Sequence, residues 1–179
     1  AYSRAKAKQV AGLLPETVKA TSEGQQAVKA LLEQPLYVGD MLPDFDVLNT
    51  DLQTVKLSTF LKKGHYTLVE LWASWCGPCR ADIPHLKETY QRYHEKGFEM
   101  ISISIDDDKE AWLKAVKEEE MPWIQVYGAN GKSYTKECMK LFGVSGVPSC
   151  VLIDKEGNVL STNARGGWLN EKLKILFEN

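Results

Sequence analysis

From Gly39 onward, strand-like and helix-like segments alternate, and the chain closes on a hairpin and a helix. That order predicts an α/β sandwich built on a mixed sheet. Two segments carry most of the prediction. Tyr66 to Trp72 is a mostly apolar run of strand length, expected of a central strand covered on both faces. Near the other end, Lys155-Glu156-Gly157 separates two short strand-like runs, which signals a hairpin and so an antiparallel addition to the sheet.

Residues 1–38 read differently from the rest. They are rich in alanine, lysine and glutamine, with apolar positions at Val10, Leu13, Leu14, Val28, Leu31 and Leu32. Two short helices are expected, joined around residues 15–24 where Pro15 and Gly24 interrupt the pattern, and Pro35 ends the second. This extension is expected to be a packing arm or linker, with a partner-binding helix as the alternative. Residues 39–179 form the main domain.

Within that domain Phe45, Val47, Val55 and Leu57 flank Asn49-Thr50-Asp51 and predict a small β-hairpin. Ser58 can cap a short helix through Lys63. After the central strand, Ile83, Leu86, Tyr90 and Tyr93 place an apolar stripe on a long helix, roughly 77–96. Phe98 to Ile105 is a strand in which Ile101, Ile103 and Ile105 alternate with serines. Asp106 to Asp108 are positioned to cap a helix through about Glu119, with Trp112, Leu113 and Val116 inward, and Pro122 closes it. Trp123 to Tyr127 is a short strand and Ser133 to Leu141 a helix. Ser149 to Asp154 and Asn158 to Ser161 form the hairpin, and Leu169, Leu173, Leu176 and Phe177 share one face of the last helix.

At 179 residues, 44% apolar and 26% charged, the chain can bury a sizeable core. A net charge of −2 with no basic stripe argues against a nucleic-acid partner. Four cysteines are too few for a disulfide-stapled scaffold of this length. No apolar run approaches the roughly 20 residues of a membrane span. The first residue is Ala1 rather than methionine, so a leader or further protein is expected to have been removed.

The chemistry centres on Glu70-Leu71-Trp72-Ala73-Ser74-Trp75-Cys76-Gly77-Pro78-Cys79. A strand runs into two cysteines two residues apart, where a helix can begin. A thiol at a helix N-terminus meets unpaired N–H groups and the positive end of the dipole, which favours thiolate. Cys76 is expected to be the exposed nucleophile. Cys79, one turn further, can attack a mixed disulfide on Cys76, and Pro78 suits an early helical position. A zinc site needs four ligands, yet His65, His85, His94, Cys138 and Cys150 are scattered singly. A purely structural disulfide across two residues would be short and strained. Neither a metal nor a cofactor is expected.

Glu70 alternates with Leu68 and Trp72 on one strand face, so its carboxylate is expected to be buried, with a raised pKa. Its expected role is to take the proton of Cys79, directly or through a water; a glutamate reaching solvent near a strand end is the alternative. Val147-Pro148 follows the turn-rich Gly143-Val144-Ser145-Gly146, which by itself says little about a cis bond.

Trp72 to Cys79 closely resembles the active-site sequence of thioredoxin. Glu70 stands at the place of thioredoxin's buried aspartate, one methylene longer. Pro84 matches the proline of the active-site helix, and Gly146-Val147-Pro148 matches the cis-proline loop. The resemblance implies a thioredoxin-like three-layer sandwich and a cis Pro148 facing the cysteines. It also implies a peptide-binding surface of Trp75, Gly77, Pro78, Val147 and Pro148, on which the Val147 backbone pairs with substrate.

Two additions to the thioredoxin plan are the N-terminal hairpin, introduced by Gly39-Asp40-Met41-Leu42-Pro43-Asp44-Phe45, and a helix-strand insertion at about 107–127. Both resemble the TlpA/ResA branch, exported bacterial proteins often tethered to the membrane. With its long extension the chain is further similar to envelope oxidoreductases of Bacteroidetes-type bacteria. The resemblance covers about residues 39–179. It implies a monomeric periplasmic or envelope enzyme, acting on disulfide-containing proteins and recharged by a membrane electron donor. The Gly-Pro dipeptide matches thioredoxin itself, which favours reduction over oxidation.

Cys138 and Cys150 have no counterpart in the motif and are expected to be buried free thiols, a second disulfide being the alternative. Two other functions remain in view. A thiol peroxidase of peroxiredoxin type shares the broad fold and hairpin, but the threonine expected three residues before its cysteine is here Ala73. A non-redox binding adapter would have no need of both cysteines.

Overall fold

A computed structural model describes residues 3–128 and 138–178. The main domain is a seven-stranded sheet in the order β2-β1-β5-β4-β3-β6-β7. The strands are β1 (Asp46–Leu48), β2 (Thr54–Lys56), β3 (Tyr66–Trp72), β4 (Phe98–Ser104), β5 (Ile124–Tyr127), β6 (Ser149–Ile153) and β7 (Val159–Ser161). β3 is central, parallel to β4 and antiparallel to β6. β4 and β5 are also parallel, so the sheet is mixed, as expected.

The crossovers from β3 to β4 and from β4 to β5 use α4 (Gly77–Tyr93) and α5 (Lys109–Glu119). Both step the same way across the sheet, so right-handed connections put both helices on one face. Arg80 of α4 joins Glu119 of α5 at 2.6 Å and Glu118 at 3.3 Å. The last helix, α6 (Gly166–Glu178), flanks α4 on its other side, where His85 meets Asn170 at 3.0 Å and Tyr93 donates to Glu178 at 2.8 Å.

A helical stretch over 138–142 lies on the opposite face. Ile103 alternates with Ser102 on β4 and points away from α4, and both Ile103 and Cys138 crowd the same side of Gly128. Phe142 packs edge-on against Phe45 there, with ring centroids 6.2 Å apart. Residues 133–137 of the predicted helix lie outside the described residues.

The two additions meet each other. Leu48 of the hairpin pairs with Tyr127 of the inserted strand, so the hairpin joins the sheet through the insertion. The hairpin loop is held by Asn49, whose Oδ1 accepts from the N–H groups of Asp51 and Gln53.

Several local expectations are corrected. The extension holds three helices rather than two: α1 (Arg4–Leu13), α2 (Glu16–Lys19) and α3 (Ser22–Leu32). Gly24 lies inside α3 and does not break it. A side chain there would put its Cβ 1.8 Å from the Val18 carbonyl oxygen, so glycine permits the tight α2–α3 turn. The element after β2 is a 3₁₀ turn, Leu57–Phe60, shorter than the helix to Lys63. Ser58 does not cap it: its N–H and hydroxyl both donate to Asp44. The long helix ends at Tyr93, followed by a 3₁₀ turn over His94–Lys96 and by Gly97 at φ 100°, which turns the chain into β4. Of the three aspartates expected to cap α5, only Asp108 does so, accepting from the Glu110 N–H at 2.9 Å.

The extension is fastened to the domain. Ser3 bridges to Val38. Arg4 pairs with Asp40 at 2.8 Å and lies 4.3 Å above the buried Tyr37 ring. Leu36 enters the hydrophobic core.

Candidate active site

β3 delivers the chain to the cysteines from the interior of the sheet, buried from Thr67 to Trp72. Its end is bracketed by Asp106, which is 1% exposed and sits just beyond β4. Asp106 accepts from the Ser74 N–H at 2.9 Å, the Ser74 hydroxyl at 2.6 Å and the Ser104 hydroxyl at 2.7 Å. The loop leading to Cys76 is therefore held by a satisfied buried carboxylate. Sequence reasoning assigned Asp106 to a helix cap and missed this role. The only signal was its position immediately past a strand whose serines face inward.

Cys76 is the N-cap of α4, and its sulfur accepts from the Cys79 N–H at 3.2 Å. The two residues form a disulfide. Cys76 is only 4% exposed, which corrects the expectation of an exposed nucleophile, while Cys79 is fully enclosed. The cause is local: the sulfur turns into the first turn of α4 and bonds to Cys79. Of the pair, Cys76 keeps the residual access. Around it Trp75 stands 68% exposed, and Gly77 and Pro78 are also exposed. The helix continues through Pro84.

Glu70 is 2% exposed, as the alternation with Leu68 and Trp72 predicts. Its Oε2 accepts from the Ser102 hydroxyl at 2.7 Å, and Ser102 Oγ in turn accepts from the Trp123 indole N–H at 2.8 Å. Burial pushes the Glu70 carboxyl up to about 7, against the opposing Ser102 hydrogen bond; Asp82 adds to the rise and Arg165 opposes it. Glu99 offers a contrast within the same sheet. Burial would raise it too, but the Lys62 ammonium at 2.6 Å and the Met100 N–H hold it below the usual carboxylate range. Glu99 is a paired structural carboxylate, whereas Glu70 forms no ion pair among the described residues.

Beside Glu70 is a cavity of about 30 Å³, also lined by Asp82, His85, Cys150 and Arg165. That volume accommodates a single water among polar groups. Cys150 is the register partner of Glu70 across β3 and β6. Its thiol is raised well above the ordinary range by burial, with Glu70 adding to it. Cys138 is pushed up to about 12 by burial alone. Both are buried free thiols, as expected.

The Val147–Pro148 bond is cis. Its loop is tied to α4 through Arg165, which donates to the Pro148 carbonyl at 3.3 Å and pairs with Asp82. The structure thus brings Cys76, Cys79, Trp75, Gly77 and Pro78 together at the start of α4, and joins Val147 and Pro148 to that helix by one arginine. Asp82 and Arg165 were not found by sequence reasoning. Each is a lone charged residue, and they lie 83 positions apart.

Comparison with known proteins agrees with this geometry. The Redoxin family profile matches residues 37–167. The chain is 30% identical over 142 residues to the thiol-disulfide oxidoreductase ResA of Bacillus thuringiensis subsp. konkukian, covering 79% of this chain and 78% of that protein. Among solved structures, it is similar to the thioredoxin domain of a thiol-disulfide oxidoreductase from Bacteroides vulgatus. There the TM-score is 0.70 and identity 30%, over 79% of this chain and 99% of that one. A thiol:disulfide interchange protein from Bacteroides sp. gives a TM-score of 0.70 at 29% identity, over 82% and 93%. With its thioredoxin-like fold and its paired cysteines at the head of α4, this chain belongs to the Redoxin family and is a protein-disulfide oxidoreductase similar to ResA.

Proposed function

We propose that the protein reduces disulfides in protein substrates of the bacterial cell envelope, with Cys76 as nucleophile, Cys79 as resolving thiol and Glu70 as proton acceptor. The observation that carries the reading is the pairing of an N-cap CxxC with a buried carboxyl poised to titrate at about 7. In the reduced enzyme the Cys76 thiolate attacks one substrate sulfur. The other substrate sulfur leaves as a thiolate and takes a proton from solvent. Cys79 then gives its proton to Glu70, directly or through a water, and attacks the Cys76 sulfur. The substrate's second sulfur departs as a thiolate and takes a proton from Glu70 or solvent. Two electrons have passed to the substrate, and the Cys76–Cys79 disulfide has formed.

A dithiol donor held in the membrane returns the two electrons. Trp75, Gly77, Pro78, Val147 and Pro148 form the surface on which substrate lies, and the protein acts as a monomer. The likeness to ResA supports this reading, as does the Gly-Pro dipeptide between the cysteines. No helix among the described residues is long and apolar enough to cross a membrane.

Insulin reduction by the pre-reduced protein tests the reading. Cys76→Ser should abolish turnover, and Cys79→Ser should accumulate a mixed disulfide with insulin visible on non-reducing gels. Full activity of Cys76→Ser would remove the nucleophile from its role. A reduction potential near the −270 mV of thioredoxin, rather than about −120 mV as in the oxidant DsbA, is expected for the Cys76–Cys79 pair.

A further inference from the structure

We propose that Arg165 is a positioning residue that couples the Pro148 loop, where substrate docks, to the charge environment of Glu70. The inference rests on the proposed role of Glu70 and extends it to a residue outside the CxxC motif and the cis-proline loop. One guanidinium makes both connections. Its Nη1 donates to the Pro148 carbonyl at 3.3 Å. Its Nη2 pairs with Asp82, on the second turn of α4. The same side chain lines the cavity that Glu70 opens onto.

A planar fork can hold two partners in fixed relative positions, which a lysine cannot. Displacement of the Pro148 carbonyl by a docking peptide would therefore be felt at Asp82, and by both charges at Glu70. Glu70 is faced by the Ser102 hydroxyl from β4, by Asp82 and His85 from α4, by the Cys150 thiol from β6 and by Arg165 from the turn before α6. Among these, Arg165 and Asp82 act in opposite senses: the guanidinium favours the ionised carboxylate and Asp82 opposes it.

This opposition supplies a test that simple loosening of the fold could not imitate. The readouts are the pH profile of turnover and KM, measured with insulin and with a small aromatic disulfide. Arg165→Met should move the inflection assigned to Glu70 to higher pH, and Asp82→Asn should move it lower. Each shift should be a few tenths of a pH unit, because both side chains are partly solvated. The double variant should return close to the native profile. Arg165→Met should also raise KM for insulin roughly two- to tenfold, the worth of one hydrogen bond holding the docking loop, and leave KM for the small disulfide unchanged. Arg165→Lys should restore the inflection but not the insulin KM.

Near-ultraviolet circular dichroism reports folding of each variant. If Arg165→Met does not fold, Arg165→Lys and Asp82→Asn carry the test. Inflections unmoved in both Arg165→Met and Asp82→Asn, together with loss of the inflection in Glu70→Gln, would overturn the role of Arg165 alone. An inflection that persists in Glu70→Gln would overturn the Glu70 reading and this inference with it.

Discussion

Replacing Glu70 by glutamine should stabilise the protein above neutrality and leave its stability unchanged in acid. The carboxyl ionises near 4.5 in the unfolded chain and at about 7 in the folded one. Between those values the folded state holds a proton that the unfolded state has released. Stability is therefore fully present below about pH 4.5 and is lost as pH rises through about 7. At 1.36 kcal/mol per pH unit, the gap of about 2.5 units makes ionised Glu70 cost about 3 kcal/mol above pH 7. Glutamine keeps a carbonyl oxygen for the Ser102 hydroxyl and never ionises. Urea unfolding of the oxidised native and Glu70→Gln proteins, from about pH 4 to pH 8.5, measures the difference directly, since every other titration is common to both. The difference should be near zero at the acid end and plateau at about 3 kcal/mol at the alkaline end. Parallel curves across the whole range would refute the reasoning, because they would mean that Glu70 titrates as an ordinary solvated carboxylate.

Two further outcomes follow from particular contacts. Asp106→Ala leaves the Ser74 N–H and the Ser104 hydroxyl without their buried acceptor, at about 1–3 kcal/mol for each group. Its urea midpoint should fall, and fall further than that of Asp108→Ala, which loses one exposed cap worth about 1 kcal/mol. Gly24→Ala drives a methyl group into the Val18 carbonyl and should destabilise the extension by about 1–3 kcal/mol, measured as faster amide exchange in residues 4–32; unchanged exchange would mean that the α2–α3 turn can open freely.

Much of the site was legible because it is local. The CxxC motif, the strand before it and the alternation of Glu70 with Leu68 and Trp72 are contained in fourteen consecutive residues, Tyr66 to Cys79. Burial of Glu70 followed from strand parity, which needs no knowledge of the partner strands. The limited access of Cys76 did not follow, because it depends on how its sulfur packs into the first turn of α4. Asp106 was misread because an aspartate before a helix has two uses, and only the tertiary position of Ser74 decides between them. Asp82 and Arg165 carry no periodic signal and meet only when α4 and the turn before α6 come together. The hairpin and the insertion were each legible, but their junction at Leu48 and Tyr127 is a property of sheet order. Gly24 reads as a break because glycine weakens helices, whereas here a close carbonyl requires it.

The borders of the sheet bear on which polypeptides the protein can receive. A protein-disulfide oxidoreductase meets other polypeptides, and an open sheet edge can pair with a segment of one as an extra strand. At one border, β7 is already occupied: the Gly39 N–H donates to the Val159 carbonyl, the Val159 N–H to Asp40, and Met41 bridges to Asn158. The connector from the extension thus acts as a selvedge, occupying that edge at Asn158 and Val159. At the other border β2 is only three residues long, Thr54–Lys56, and its lysine is paired with Asp46. A short charged edge is a poor template for pairing. With β7 paired along its outer edge at Val159 and β2 short and charged, neither border of the sheet offers a long open template on which a polypeptide could pair.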